Sequence, residues 1–235
     1  DLFAGIGGFR SALTYLNGEC LFSNEWDKYA AETYKAWYCD EEISTDDIRS
    51  LNYNLIPSHD ILCAGFPCQP FSLAGVSKKQ SLGRKHGFED EKQGNLFFAI
   101  RDIAKIKRPK VLFLENVKHL RGHDKGNTMK VIEEEISAMG YKLFSEIVSS
   151  ETLVPQKRQR IFMVAFDTKV FGDNIDFIFP SFEGERITMK KILEKDVDDK
   201  YTLSDNLWNY LKSYSIKQKE KGNGFGFGLV GPDDV

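Results

Sequence analysis

The stretch Gly65-Phe-Pro-Cys-Gln-Pro-Phe-Ser72 sets a cysteine between two prolines, just beyond an apolar run. Cys63, inside that run, reads as a small core residue, whereas Cys68 is placed on a stiff turn where packing needs no thiol. A cysteine presented in this way is a candidate nucleophile, reactive wherever its surroundings favour the thiolate. A second apolar run, Lys110-Val-Leu-Phe-Leu-Glu115, ends in Glu115-Asn-Val117. A carboxyl group there is partly desolvated and should hold a proton nearer neutral pH than an exposed one. The third element is Gln156-Lys-Arg-Gln-Arg160. On extended chain Arg158 and Arg160 face the same side, and paired guanidinium groups suit a phosphate or a carbonyl oxygen. Each element has a plainer reading, as a free thiol in a proline turn or as a solvated charge run.

Near the start, Phe3-Ala-Gly-Ile-Gly-Gly-Phe9 places Gly5, Gly7 and Gly8 where a strand should give way to a helix. Glycines there let the backbone turn sharply and approach a ligand lying against the helix N-terminus. Counting G-x-G-x-x-G from Gly5 puts Arg10 at the third position, so the dinucleotide fingerprint fails and a nicotinamide oxidoreductase is disfavoured. Glu25 follows Gly5 by 20 residues, at the end of the next strand, where a carboxylate can accept hydrogen bonds from ribose hydroxyls. Trp26 is placed to stack on an adenine or to fill the core. Asp47, at the following loop, is placed to read an adenine amino group or to cap a helix.

The elements that must hold these residues alternate between short apolar runs and helical patterns. Strands are expected over Cys20–Glu25, Asp60–Gly65, Lys110–Glu115, Tyr141–Val148 and Ile161–Phe166, with helices over Lys28–Tyr38, Asn95–Lys107 and Thr128–Met139. Continuous apolar strands separated by helices give an α/β fold, a doubly wound and mostly parallel sheet whose ligands lie beyond the carboxyl ends of the strands. Every motif above falls at such an end. After residue 170 the pattern changes. Lys190–Lys200 is charge-rich, Leu203–Lys219 reads as a helix with Ser204 as N-cap, and Lys221-Gly-Asn-Gly-Phe-Gly-Phe-Gly228 is glycine-aromatic. A subdomain boundary is expected within 170–225.

Composition narrows the classes. With 41% hydrophobic and 29% charged residues, the 235-residue chain is ordinary for a globular protein. Its net charge of −3 means that any nucleic-acid surface must be local. The segment 73–94 supplies such a surface: Lys78, Lys79, Arg84, Lys85 and His86 are interspersed with glycines. No apolar run approaches the ~20 residues of a membrane span, and no signal-peptide pattern is present. Cys20, Cys39, Cys63 and Cys68 show no zinc spacing, and His119 with His123 lacks a third ligand, so no metal site is expected.

In order and approximate spacing, Asp1-Leu-Phe-Ala-Gly-Ile-Gly-Gly8, Asn24-Glu-Trp26, Gly65-Phe-Pro-Cys-Gln-Pro-Phe-Ser72, Glu115-Asn-Val117 and Gln156-Lys-Arg-Gln-Arg160 resemble the motif series of the DNA (cytosine-5) methyltransferases, of bacterial or phage restriction-modification type. The resemblance covers about residues 1–170 and implies the fold of the class I S-adenosylmethionine-dependent methyltransferases. It implies that Phe3, Gly5, Ile6, Gly8, Glu25, Trp26, Asp47, Ile48, Pro67 and Leu96 bind S-adenosylmethionine, released as S-adenosylhomocysteine. Cys68, Glu115, Arg158 and Arg160 would be catalytic, with Gln69, Ser72, Asn116 and Val117 contacting the substrate. The chemistry so implied is attack of Cys68 on cytosine C6, which makes C5 nucleophilic toward a methyl group, on a base flipped out of double-stranded DNA. The segment after the cysteine would be the loop that closes over DNA.

The resemblance further implies residues 1–170 as the catalytic, S-adenosylmethionine-binding domain and residues 171–235 as a linker and truncated start of a target-recognition region. Both ends of the chain read as cuts in a longer protein, so this piece is expected to bind DNA poorly. A monomer in the cytoplasm of a bacterial or phage-infected cell is the expected setting. The competing readings are a transfer-RNA cytosine-5 methyltransferase and a catalytically inactive DNA-binding regulator of the same fold.

Overall fold

The computed structural model describes residues 1–39, 42–67, 96–223 and 227–234. The chain divides into two compact units, one made of Asp1–Val148 with Gln159–Pro180, the other of Ser149–Arg158 with Ser181–Val235.

The first unit is organised by a sheet of β1 (Ile61–Gly65), β2 (Val111–Val117), β3 (Tyr141–Ser149) and β4 (Gln159–Asp167), in the order β1-β2-β4-β3. β1 and β2 run parallel, from Ile61 opposite Val111 to Gly65 opposite Glu115. β4 is antiparallel to β2, with Val117 opposite Arg160. On the far side of β1, three extended segments continue the parallel array through single bridges, Leu2 with Ala64, Leu2 with Asn24, and Asn24 with Ser44. The strand expected over Cys20–Glu25 is therefore realised only at Asn24, although Ala4 N–H donates to the Asn24 carbonyl and Glu25 N–H to that of Ser44. The doubly wound, mostly parallel architecture is as expected, with β4 the reversed strand.

Helix limits follow local chemistry. The first helix, α1 (Gly8–Tyr15), leaves the glycine turn directly. In α2 (Lys28–Tyr38) the Asp27 carboxylate accepts from the N–H groups of Tyr29 and Ala30, and the helix ends where Cys39 turns left-handed at φ 49°. On α3 (Leu96–Lys107) the buried residues are Phe97, Ala99, Ile100, Ile103 and Ala104, and on α4 (Asn127–Ala138) they include Met129, Ile132 and Ile136. These are one-sided stripes at helical spacing. They pack with Leu62, Ala64, Leu112, Leu114, Ile161 and Met163 of the sheet in one core. A single turn, α5 (Thr168–Phe171), follows β4.

Among its described residues the second unit has no comparable core. Its helix α6 (Asp205–Glu220) is capped by the Ser204 hydroxyl, as its sequence leads one to expect, but buries none of its residues. Trp208 packs on Phe227, ring centroids 4.8 Å apart. Among the described residues no helix is long and apolar enough to cross a membrane.

Candidate active site

The glycine turn and the end of the second extended segment are built as one piece. Phe3, Gly5 and Gly7 all have positive φ, and Gly7 (φ 91°) admits no side chain, because a Cβ there would lie 2.3 Å from the Tyr38 ring. The Tyr38 hydroxyl donates to the Gly7 carbonyl at 2.6 Å and locks the turn against α2. Glu25 is 9% exposed, and its carboxylate is the hub: Oε2 accepts Gly5 N–H and Oε1 accepts Asp27 N–H, each at 2.8 Å. The reading of Glu25 as a plain surface charge is thereby excluded. Trp26, next in the chain, is 70% exposed, and Ile6 in the turn is 65% exposed, so neither fills the core.

The other residues expected to hold the cofactor are placed more variously. Asp47 caps the turn Ile48–Ser50 and accepts from Arg49, whose guanidinium and N–H hold its carboxyl below the usual carboxylate range. The plainer reading of that residue, a cap, is thus what the fold uses. Ile48 belongs to the core, Leu96 opens α3 half-buried against the core, Pro67 is exposed, and Gly8 has open space where a Cβ would stand.

At the carboxyl ends of β1 and β2 and the amino end of β4, Glu115, Asn116 and Arg160 come together. Parallel register sets Gly65 beside Glu115, and antiparallel register brings Arg160 to Val117. Arg160 Nε lies 2.9 Å from Glu115 Oε1, both side chains being partly exposed at 24% and 22%. The pair ties the Glu115 carboxyl group to the start of β4. Asn116 is buried and fully committed. Its Nδ2 donates to the Phe66 carbonyl at 2.9 Å, and its Oδ1 accepts Val117 N–H at 2.8 Å. The amide thus pins the backbone that leads into Pro67. Cys68, Gln69 and Ser72, and the basic segment 73–94, lie outside the described residues. Cys63 is 3% exposed, and burial pushes its thiol up to about 11, as suits a core residue rather than a nucleophile.

β4 opens at Gln159, so Arg160 lies within the strand, whereas Arg158 precedes it and is assigned to the second unit. Lys118, which the sequence reading passed over, donates to Gln159 Oε1 at 2.6 Å and adds positive charge beside Val117. Its only sequence signal was its position directly after Glu115-Asn-Val117. His123 is 2.6 Å from the Thr128 hydroxyl, and among the described residues no group of His, Cys, Asp or Glu is placed to hold a metal.

A sheet in this order with one reversed strand, a glycine turn tied to an acid at the next strand end, and a carboxylate-arginine pair beyond β2 define a protein of the S-adenosylmethionine-dependent methyltransferase fold. Solved structures with that fold include a mutant form of Spodoptera frugiperda DNMT2 (TM-score 0.67, 22% identity, 90% of this chain and 63% of that one). Another is the Schizosaccharomyces pombe Dnmt2 methyltransferase (TM-score 0.64, 19% identity, 100% and 68%). The model of the C-5 cytosine-specific DNA methylases matches residues 1–231, and the chain belongs to that family. It is 41% identical over 265 residues to the DNA-cytosine methyltransferase of Escherichia coli, covering 100% of this chain and 56% of the relative. It is 43% identical over 238 residues to the type II methyltransferase M.NlaX of Neisseria lactamica, covering 100% and 72%. The chain therefore spans little more than half the length of the Escherichia coli relative.

Proposed function

We propose that this chain is the catalytic part of an enzyme that methylates C5 of a cytosine flipped out of double-stranded DNA, through a covalent bond from Cys68 to C6. The observation that carries the reading is the junction of motifs at one sheet edge. Glu115 is ion-paired with Arg160, and Asn116 beside it holds the Phe66 carbonyl, two residues before Cys68. Family membership and relatives named as DNA-cytosine methyltransferases support DNA as the substrate.

The residues fit S-adenosylmethionine. Glu25 is immobilised by backbone donors, and each of its oxygens keeps a lone pair for a ribose hydroxyl. Exposed Trp26 and Ile6 offer apolar faces for the adenine and its surroundings. Phe3, Gly5, Gly8, Asp47, Ile48, Pro67 and Leu96 would complete the site, and the cofactor supplies an electrophilic methyl group on sulfur. In this reading residues 1–170 form the catalytic, cofactor-binding domain, and residues 171–235 a linker and the opening of a target-recognition region.

On the base, the Cys68 thiolate forms a C–S bond at C6 and pushes electron density to C5. As the base approaches, the Glu115 carboxyl leaves its pair with Arg160, takes a proton from solvent, shares it with N3 and gives it up again when the C6–S bond breaks. Arg160, so released, holds the O2 carbonyl, with Arg158 as a second cation. Gln69, Ser72, Asn116 and Val117 shape the pocket, Asn116 through the backbone it fixes. Once C5 carries the methyl group, a base removes the C5 proton and the C6–S bond breaks, which restores the aromatic ring and the thiolate. The base must leave the helix because neither C6 nor C5 can be reached within a stacked duplex.

Duplex DNA with 5-fluorocytosine at candidate sites, incubated with the full-length enzyme and S-adenosylmethionine, tests the reading. Fluorine cannot leave C5 as a proton does, so a denaturation-resistant complex is expected, lost in Cys68→Ser. An adduct with fluorinated transfer RNA but none with DNA would overturn the choice of substrate.

A further inference from the structure

The stretch Gln156–Arg158 sits in a loop whose shape depends on two residues that the proposed chemistry does not use. Ser150 closes the loop. Its N–H donates to the Arg158 carbonyl at 3.1 Å, its hydroxyl donates to the Gln156 carbonyl at 2.6 Å, and its own carbonyl accepts from Leu153 and Val154. Apolar burial does little here, since Leu153 is 50% exposed and Val154 is 43% exposed. Polar contacts anchor the loop instead. Thr152 donates to the Phe182 carbonyl at 3.1 Å, and Ile187 N–H donates to the Glu151 carbonyl at 3.0 Å.

The Glu151 carboxylate is the strongest of these anchors. The residue is 8% exposed, and its Oε2 lies 3.1 Å from Arg186 Nε. Oε1 is buried without a hydrogen-bond partner among the described residues, and the Lys157 ammonium stands 4.0 Å from it. A buried carboxylate with one oxygen unbonded is costly unless cations hold its charge. Glu151 therefore draws Arg186 and Lys157 to itself. Arg158, the next residue, forms no ion pair among the described residues and is exposed.

We propose that Glu151 is a positioning residue for Arg158: by binding Arg186 and engaging Lys157 it fixes the loop that presents the Arg158 guanidinium to DNA. The proposal rests on the function given above, and only through Arg158.

Steady-state methylation of duplex DNA by the full-length enzyme, in a cycle of wild type, Glu151→Gln, Arg158→Ala and the double variant, tests it. Glu151→Gln is expected to lower kcat/KM for DNA about tenfold, chiefly through KM, and to add less than about twofold once Arg158 is gone. Equal factors in both backgrounds, or no change in Glu151→Gln, would sink the positioning role while leaving the function intact. Should Glu151→Gln fail to fold, Arg186→Gln releases the same carboxylate, and the same dependence on Arg158 is expected of it. Failure of the wild type to methylate DNA cytosine would instead overturn the function, and the positioning role with it.

Discussion

Glu25 and Glu115 both stand at carboxyl ends of strand segments, yet they are held in opposite ways. Glu25 is buried, and its two oxygens are claimed by main-chain N–H groups, so no side-chain substitution elsewhere can remove its partners. Glu115 is partly open to solvent and leans on one guanidinium, that of Arg160. Backbone donors hold a carboxylate in place. A side-chain cation on a flexible stem can be displaced. On the proposed function the division is sensible: one acid must stay still while it binds a cofactor, and the other must move as a base arrives.

Three substitutions probe that contrast. Glu115→Gln removes the proton carrier and its attraction for Arg160, and kcat should fall by about 10²–10⁴-fold. KM for S-adenosylmethionine should change little, which steady-state kinetics with each substrate varied will show. A comparable rise in that KM would mean that the two acids are not separate in function.

Glu25→Ala should do the reverse. It leaves the N–H groups of Gly5 and Asp27 without an acceptor, at a cost of about 1–3 kcal/mol for each one kept from water. We expect a lower thermal midpoint and an S-adenosylmethionine KM raised at least about tenfold, with kcat less affected. Unchanged cofactor binding, measured by calorimetry, would remove Glu25 from the site.

Asp47 offers the mildest case, a half-exposed carboxylate whose neighbour Arg49 lowers its pKa. A carboxyl with a depressed folded-state pKa adds stability that is present above its unfolded value, about 3.9, and is lost as pH falls through the folded one. Solvent screening keeps that contribution to less than about 1 kcal/mol. Urea midpoints of wild type and Asp47→Asn should therefore differ slightly at pH 7 and converge in strong acid. A gap that persists in acid would point to the cap hydrogen bond rather than the charge.

Much of this was legible from residue order. α2 begins and ends where the pattern places it, because Asp27 caps one end and its apolar spacing is helical. Glu115 and Cys63 could be assigned, one to a strand end and one to the core, from the apolar runs around them. Asp47 could not, because a cap and a ligand call for the same residue type. Trp26 was equally open, since indole serves a core as well as a surface, and only the fold leaves it exposed. Glu151 gave no signal, and Lys118 none beyond its place after Glu115-Asn-Val117, because a lone charge has no period and no motif.

The sequence by itself determined the element types, the α/β class and the motif residues, since hydrophobic period and turn chemistry are local properties of the chain. Tertiary structure alone decided strand direction and partnership. An apolar run reads the same whether its strand is parallel or reversed, so the antiparallel pairing that carries Arg160 to the end of β2 and on to Glu115 had to be observed. The same holds for Arg158 and Arg160, two residues apart in sequence and in different compact units, because compactness is set by contacts between distant segments rather than by neighbours in the chain.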